Sequence, residues 1–365
     1  MDPPYGAAAA LQKPRGNGEP QSRIAHVPSL CDAWLPRTVR AYAPAMSERR
    51  QLIIDCDTGT DDAVALMLAA LHPALDLIGV TTVFGNAPLE ATTINSISTL
   101  DHVGRGEIPV HAGLARPIVR SAFPSQRRFT ADSADDPHGT WLPIERSDRP
   151  AASAKAVEWL IETYRAATQP ITLMPIGPLS NIAAAVALEP KFAAWVPQLI
   201  IMGGGHEVGN ETPSAEFNIW ADPEAAASVF AAGFRDVLLV PLDATHKALV
   251  TRADCTALEA LGTPAGIGAA ACIQKRVAGY EYSQKMVVPE SAPVHDALCV
   301  AALVEPSIVT TRRHHVAVEV SGELTVGRTV IDTHGRGRKE PNAAIAFNAD
   351  ARRFVAMLLE TFAAK

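Results

Sequence analysis

No stretch of this chain is apolar for long enough to cross a bilayer. The longest apolar run, residues 63–71, spans nine residues, against the roughly 20 that a membrane helix needs. Cysteine is scarce. Cys31, Cys56, Cys255, Cys272 and Cys299 form no C-x-x-C pair, which excludes a disulfide framework and a thiolate zinc site and fits a reducing, cytoplasmic compartment. An excess of basic charge is also missing. Lys+Arg 32 against Asp+Glu 39 leaves a net charge of −7, so there is no basic face of the kind that nucleic acid requires. Nor is the composition that of a disordered chain, with 48% hydrophobic and 19% charged residues. A length of 365 residues allows one large or two ordinary domains at ~150 residues each.

Residues 1–46 hold seven prolines and no sustained period of 3.6 or 2. They are expected to form a disordered extension. They lack the basic start and apolar centre of a secretory signal. Met46, just before the first strand, would make a normal beginning. From Gln51 onward, apolar runs of strand length alternate with helical stretches. Strands are expected at 52–54, 77–84, 171–174, 199–202 and 237–240, and helices at 62–71, 88–103, 179–188 and 223–232. Near-continuous apolar strands separated by helices mean a buried, mainly parallel sheet. Towards the end, residues 315–320 and 324–331 alternate around Ser321-Gly322 as a hairpin would. Residues 343–347 suit a further strand and 349–362 a last helix. Residues 47–365 are therefore expected to form a single α/β domain, with a mixed, mainly parallel central sheet flanked by helices.

Four segments carry chemistry. The first strand runs into Asp55-Cys56-Asp57-Thr58-Gly59-Thr60-Asp61-Asp62, four carboxylates in eight residues. Ligands in open α/β sheets bind at the carboxyl ends of the strands, and carboxylates crowded at such a place repel strongly unless a cation joins them. The alternative for Asp61 or Asp62 is to cap the next helix. The second segment is Met202-Gly203-Gly204-Gly205-His206, followed by Asn210 and by Glu216-Phe217-Asn218, where amides and a carboxylate suit hydroxyl groups. The third is Phe84-Gly85-Asn86, a strand end or a simple turn. The fourth is Val294-His295-Asp296 before an apolar helical run, where Asp296 could be a helix N-cap.

Taken together and in this order, these motifs resemble the inosine–uridine-preferring nucleoside hydrolases over roughly residues 50–363. The resemblance implies a Rossmann-like fold and a homodimer or homotetramer. It also implies a calcium-dependent enzyme that hydrolyses the N-glycosidic bond of ribonucleosides to ribose and free base in nucleoside salvage. Asp57, Asp62 and Asp296 match calcium ligands, together with the backbone carbonyl of Ile176, where the family often carries Thr. With ribose hydroxyls and water this makes about seven or eight oxygens, a number suited to Ca²⁺. Asp57 also matches the general base. Asp61, Asn86 and Asn218 match contacts to the ribose 2′ and 3′ hydroxyls, and Asn210 and Glu216 contacts to the 5′ hydroxyl. Met202 and Phe217 complete the substrate-binding set. His295 matches the acid that assists the leaving base, and His138 a loop histidine over the site. Residues 279–293 are expected to cover the base, with Tyr280 and Tyr282 in that stretch holding no assigned role.

Two other readings compete. Phosphatases of the haloacid dehalogenase type also open on a strand and D-x-D, but they place Thr or Val where this chain has Gly59. A non-catalytic nucleoside-binding protein would keep the pocket without turnover, yet every acidic motif residue is present.

Overall fold

The computed structural model describes residues 49–120 and 136–364. The extension expected over residues 1–46 lies outside the described residues. Eleven strands are present among the described residues: β1 (Arg50–Cys56), β2 (Leu75–Thr82), β3 (Val110–Ala112), β4 (Ile171–Pro175), β5 (Gln198–Met202), β6 (Val237–Val240), β7 (Leu249–Thr251), β8 (Ser291–Pro293), β9 (Val309–Val318), β10 (Thr329–Asp332) and β11 (Ala343–Ala349). Nine of them form one sheet in the order β10-β9-β11-β6-β5-β4-β1-β2-β3, and β7 pairs with β8 apart from it. The run from β3 to β11 is parallel, while β9 is antiparallel to both β10 and β11.

The apolar strand runs make this sheet because both of its faces are covered. Leu52, Ile54, Met174, Ile200 and Met202 point into one core layer. Ile53, Leu173, Leu199 and Ile201 point into the other. A strand buried on two faces reads as continuous rather than alternating hydrophobicity. The helix Thr60–Leu71 returns the chain from β1, and all but its last residue are buried.

The order β3-β2-β1-β4-β5 contains a reversal at β1. The chain winds outward to β2 and β3 on one side and to β4 and β5 on the other. Crevices open at such a switch point, beyond the carboxyl ends of the strands. Asp57 follows β1 and Ile176 follows β4, and the Ile176 N–H donates to the Asp55 carbonyl at 2.8 Å. The two loops therefore leave the sheet side by side.

The expected elements are found within one to three residues of their predicted bounds, apart from the hairpin. Its strands are β9 and β10, so the alternation at 324–328 belongs to the connection rather than to a strand. The helix His295–Val304 has Val294 at its N-cap position, so Asp296 lies in the first turn and is not the cap.

Candidate active site

The acidic loop is shaped by its own backbone. The Asp62 carboxylate accepts from the Gly59 N–H at 2.9 Å and from the Asp57 N–H at 3.3 Å. It folds the loop back onto the helix start, where exposed N–H groups favour negative charge. Asn86, carried past β2, donates from its side chain to Asp62 at 3.1 Å and from its backbone to Asp57 Oδ2 at 2.7 Å. Asp57 sits where no side chain fits beside it. A Cβ on Gly85 would lie 2.0 Å from Asp57 Oδ2, and one on Gly177 would lie 2.6 Å from Oδ1. The two glycines thus form a cradle around the carboxylate.

Asp57, Asp61, Asp62 and Asp296 are all buried. Burial, then the charge of Asp61, pushes the Asp62 carboxyl from 3.8 up to about 7. Burial, then Asp61, Asp62 and Asp57, pushes Asp296 well above the usual carboxylate range. These groups hold protons in the absence of a cation because desolvation and mutual repulsion disfavour their charged forms. A divalent ion held by these carboxylates would offset their repulsion and stabilise the charged forms.

Asp61 differs from the other three in its partner. Its Oδ1 accepts from Arg276 at 2.7 Å, and both side chains are buried. His138 lies over it, with Nδ1 3.5 Å from the same oxygen and accepting from the Thr60 N–H at 3.3 Å. The ligand atoms of Asp61, Asp62 and His138 fall within 4.8 Å of one another, a spacing that a metal ion could bridge. Two partners are already committed there, since Asp61 is neutralised by Arg276 and His138 Nδ1 is taken up by a backbone donor. Arg276 pairs with Asp61, and Asp57, Asp62 and Asp296 are the other buried carboxylates nearby. These three offer oxygen alone, the donor type that a hard divalent cation takes.

Two amides and a carboxylate, those of Asn218, Asn210 and Glu216, gather at the ends of β4 and β5. The Asn218 side chain donates to the Ile176 carbonyl at 2.8 Å and to the Met202 carbonyl at 3.2 Å, tying the ends of β4 and β5 together. Asn218 lies in the short helix Phe217–Ala221, which Glu216 caps. Glu216 Oε2 accepts from the Gly204 and Ile219 N–H groups at 2.8 and 3.2 Å, and Oε1 from Asn218 at 2.9 Å. Asn210 Oδ1 accepts from the Phe217 N–H at 2.9 Å. Glu216 and Asn210 thus build this corner, and carboxylate and amide oxygens have lone pairs enough to accept a hydroxyl as well.

His295 is held between two hydroxyls, Tyr280 at 2.7 Å from Nε2 and Thr245 at 2.7 Å from Nδ1. Burial, then the charges of Arg276 and His246, lowers its pKa well below 6.5. The imidazole is therefore neutral at neutral pH. Tyr280 is buried, whereas Tyr282 is 72% exposed. The Tyr280–His295 pair and Arg276 were not found from the sequence. The signal that could have found them was the spacing of Cys272, Arg276 and Tyr280, four residues apart on one helix, which puts a charge and a phenol on an otherwise apolar face.

The model of the inosine–uridine-preferring nucleoside hydrolase family matches residues 52–356. The chain belongs to this family. A pyrimidine-specific ribonucleoside hydrolase, RihB of Escherichia coli (strain SE11), is 37% identical over 314 residues, covering 86% of this chain and 97% of the relative. The solved structure of a purine-preferring ribonucleoside hydrolase from Gardnerella vaginalis superposes with a TM-score of 0.78 at 29% identity, over 86% of this chain and 98% of that one. A plant nucleoside hydrolase superposes at 0.76 with 30% identity, over 87% and 100%. As a nucleoside hydrolase, the chain cleaves the N-glycosidic bond of ribonucleosides, and the phosphatase and binding-only readings fall away.

Proposed function

We propose that the chain is a calcium-dependent hydrolase whose preferred substrates are pyrimidine ribonucleosides, with Asp57 as the general base. The observation that carries this reading is the buried, oxygen-only trio Asp57, Asp62 and Asp296, with Asp57 at the crevice between β1 and β4. The pyrimidine preference is supported by the 37% identity to the pyrimidine-specific RihB.

Bound Ca²⁺ would supply a positive centre that attracts hydroxyl oxygens and modestly acidifies water. Asp57 takes the proton from the attacking water in this reading, which the direction given to it by the Asn86 N–H and the glycine cradle supports. Asp61, Asn86 and Asn218 orient the ribose diol. Glu216 and Asn210 hold the 5′ hydroxyl, and Met202, Phe217 and His138 wall the pocket. As the base departs, positive charge grows on the ribosyl ring. An anionic pocket favours that state over the neutral nucleoside, which is the requirement for catalysis. The leaving base gains a hydrogen bond from the Tyr280–His295 pair. His295 is neutral there, so the pair serves as a hydrogen-bond donor and not as an imidazolium acid.

The chain is further proposed to be cytoplasmic and to act as a homodimer or homotetramer. No helix among the described residues is long and apolar enough to cross a membrane. A panel of uridine, cytidine, inosine, guanosine and adenosine, assayed for released ribose, tests the proposal. Pyrimidine kcat/KM values at least tenfold above the purine values are expected. Equal or reversed values reject the base preference, and no ribose from any of them rejects the reading.

A further inference from the structure

Arg276 is the largest fully buried side chain among the described residues. It lies on the helix Pro264–Ser283 and reaches three parts of the site at once. Nη1 donates to Asp61 Oδ1 at 2.7 Å and to Thr60 Oγ1 at 3.3 Å. Nε donates to the Pro293 carbonyl at 2.9 Å, two residues before His295. The guanidinium carbon is 5.4 Å from the centre of the Tyr280 ring. The Thr60 hydroxyl in turn donates to the Pro137 carbonyl at 3.0 Å, and His138 Nε2 lies 3.4 Å from Nη1.

A buried guanidinium is costly unless paired, and a carboxylate in this crowd is costly for the same reason. Pairing the two settles both and leaves a division among four neighbouring carboxylates. Three of them, Asp57, Asp62 and Asp296, are the proposed ligands of a cation. The fourth is turned to the cationic side chain, and its second oxygen stays available as an acceptor. We propose that Arg276 is a positioning residue: by engaging Asp61 it keeps that carboxylate out of the metal's ligand set and directs it at the sugar 2′ hydroxyl. The inference rests on the ribonucleoside hydrolase reading above.

The test uses Arg276→Gln, Arg276→Lys, Asp61→Asn and the double variant Asp61→Asn/Arg276→Gln in the full chain. Two readouts are taken: Ca²⁺ affinity of the stripped protein by calorimetry, and the ratio of kcat/KM for uridine over 2′-deoxyuridine. Arg276→Gln should free Asp61 for the cation. Ca²⁺ affinity then rises by tenfold or more while the ribose discrimination falls by at least tenfold. Arg276→Lys keeps the charge without the fork and should lie between wild type and Arg276→Gln on both readouts. The double variant should match Asp61→Asn within threefold on both, since Arg276 acts only through Asp61. If Arg276→Gln does not fold, Arg276→Lys and the double variant carry the test, the latter having no unpaired buried charge.

The inference is overturned if Ca²⁺ affinity falls or stays unchanged in Arg276→Gln. It is equally overturned if the loss is the same for uridine and deoxyuridine, or if the double variant is worse than Asp61→Asn by more than threefold. A wild type that hydrolyses uridine while the variants break this pattern rejects the inference alone. A wild type that releases no ribose from uridine rejects the function beneath it.

Discussion

Metal-free protein should lose stability as pH rises, and Ca²⁺ should remove that loss. In the folded, metal-free chain, burial and then Asp61 hold the Asp62 carboxyl at about 7 instead of 3.8. Asp296 is displaced in the same direction by burial and three carboxylates. In the unfolded chain both ionise near 4. Between these values the folded state binds more protons than the unfolded state, so each increment of pH favours unfolding. The proton-linked stability is complete below about pH 4 and is lost as pH rises through about 7. Moving one carboxyl from 3.8 to about 7 corresponds to roughly 4 kcal/mol at ~1.36 kcal/mol per pH unit. A divalent ion takes the place of the protons, so its affinity grows with pH. The assay is thermal unfolding of protein stripped on a chelating resin, with and without saturating Ca²⁺, from pH 5 to pH 8. Asp55, also at about 7 through burial, contributes to both arms. To a first approximation it cancels in their difference. Of the span from 3.8 to about 7, about 1.2 pH units are already lost at pH 5, so roughly 2.6 kcal/mol falls within the window. At about 2 °C per kcal/mol for a domain of this size, the gap between loaded and stripped Tm should widen by about 5 °C from pH 5 to pH 8. A gap that stays flat or narrows with pH refutes the reasoning.

Asp57→Ala should lower kcat by ~10²–10⁴-fold in steady-state assays, since it removes the proposed base. His295→Ala and Tyr280→Phe should each slow uridine hydrolysis by ~10²-fold or more. Both should stay within about threefold of wild type on p-nitrophenyl β-D-riboside, whose leaving group departs without a proton. Equal losses on both substrates would show that the pair does not act on the base. Uridine should exceed 2′-deoxyuridine in kcat/KM by up to ~10⁴-fold, because removing the hydroxyl leaves buried polar groups unpaired. Comparable values would take the ribose contact away from Asp61, Asn86 and Asn218.

The strand Leu52-Ile53-Ile54 and the carboxylate loop behind it were legible because both signals are local. An apolar triple cannot be solvated, and four acids in eight residues cannot sit in a folded chain without a compensating partner. The helix Pro264–Ser283 was not legible, although Thr263 caps it through the Gly266 N–H. Its packing face uses glycine where neighbours press close: a Cβ on Gly268 would lie 2.6 Å from His102 Nε2, and one on Gly279 would lie 2.7 Å from Pro137. Such positions erase the apolar period that marks a helix. Arg276 was hidden with that helix, since its partner Asp61 lies 215 residues away in the chain. Glu216 was legible as a polar site residue, but not as the cap that folds the Gly204–Asn218 corner. Capping depends on which backbone donors the fold leaves unpaired.

The most direct test of the account is uridine hydrolysis by the full chain before chelation, after exhaustive chelation, and after titration with Ca²⁺. Ribose release should vanish when the metal is removed and return with about one Ca²⁺ per chain, as expected for one ion held by the proposed ligands Asp57, Asp62 and Asp296. Full ribose release by the stripped protein would contradict the account.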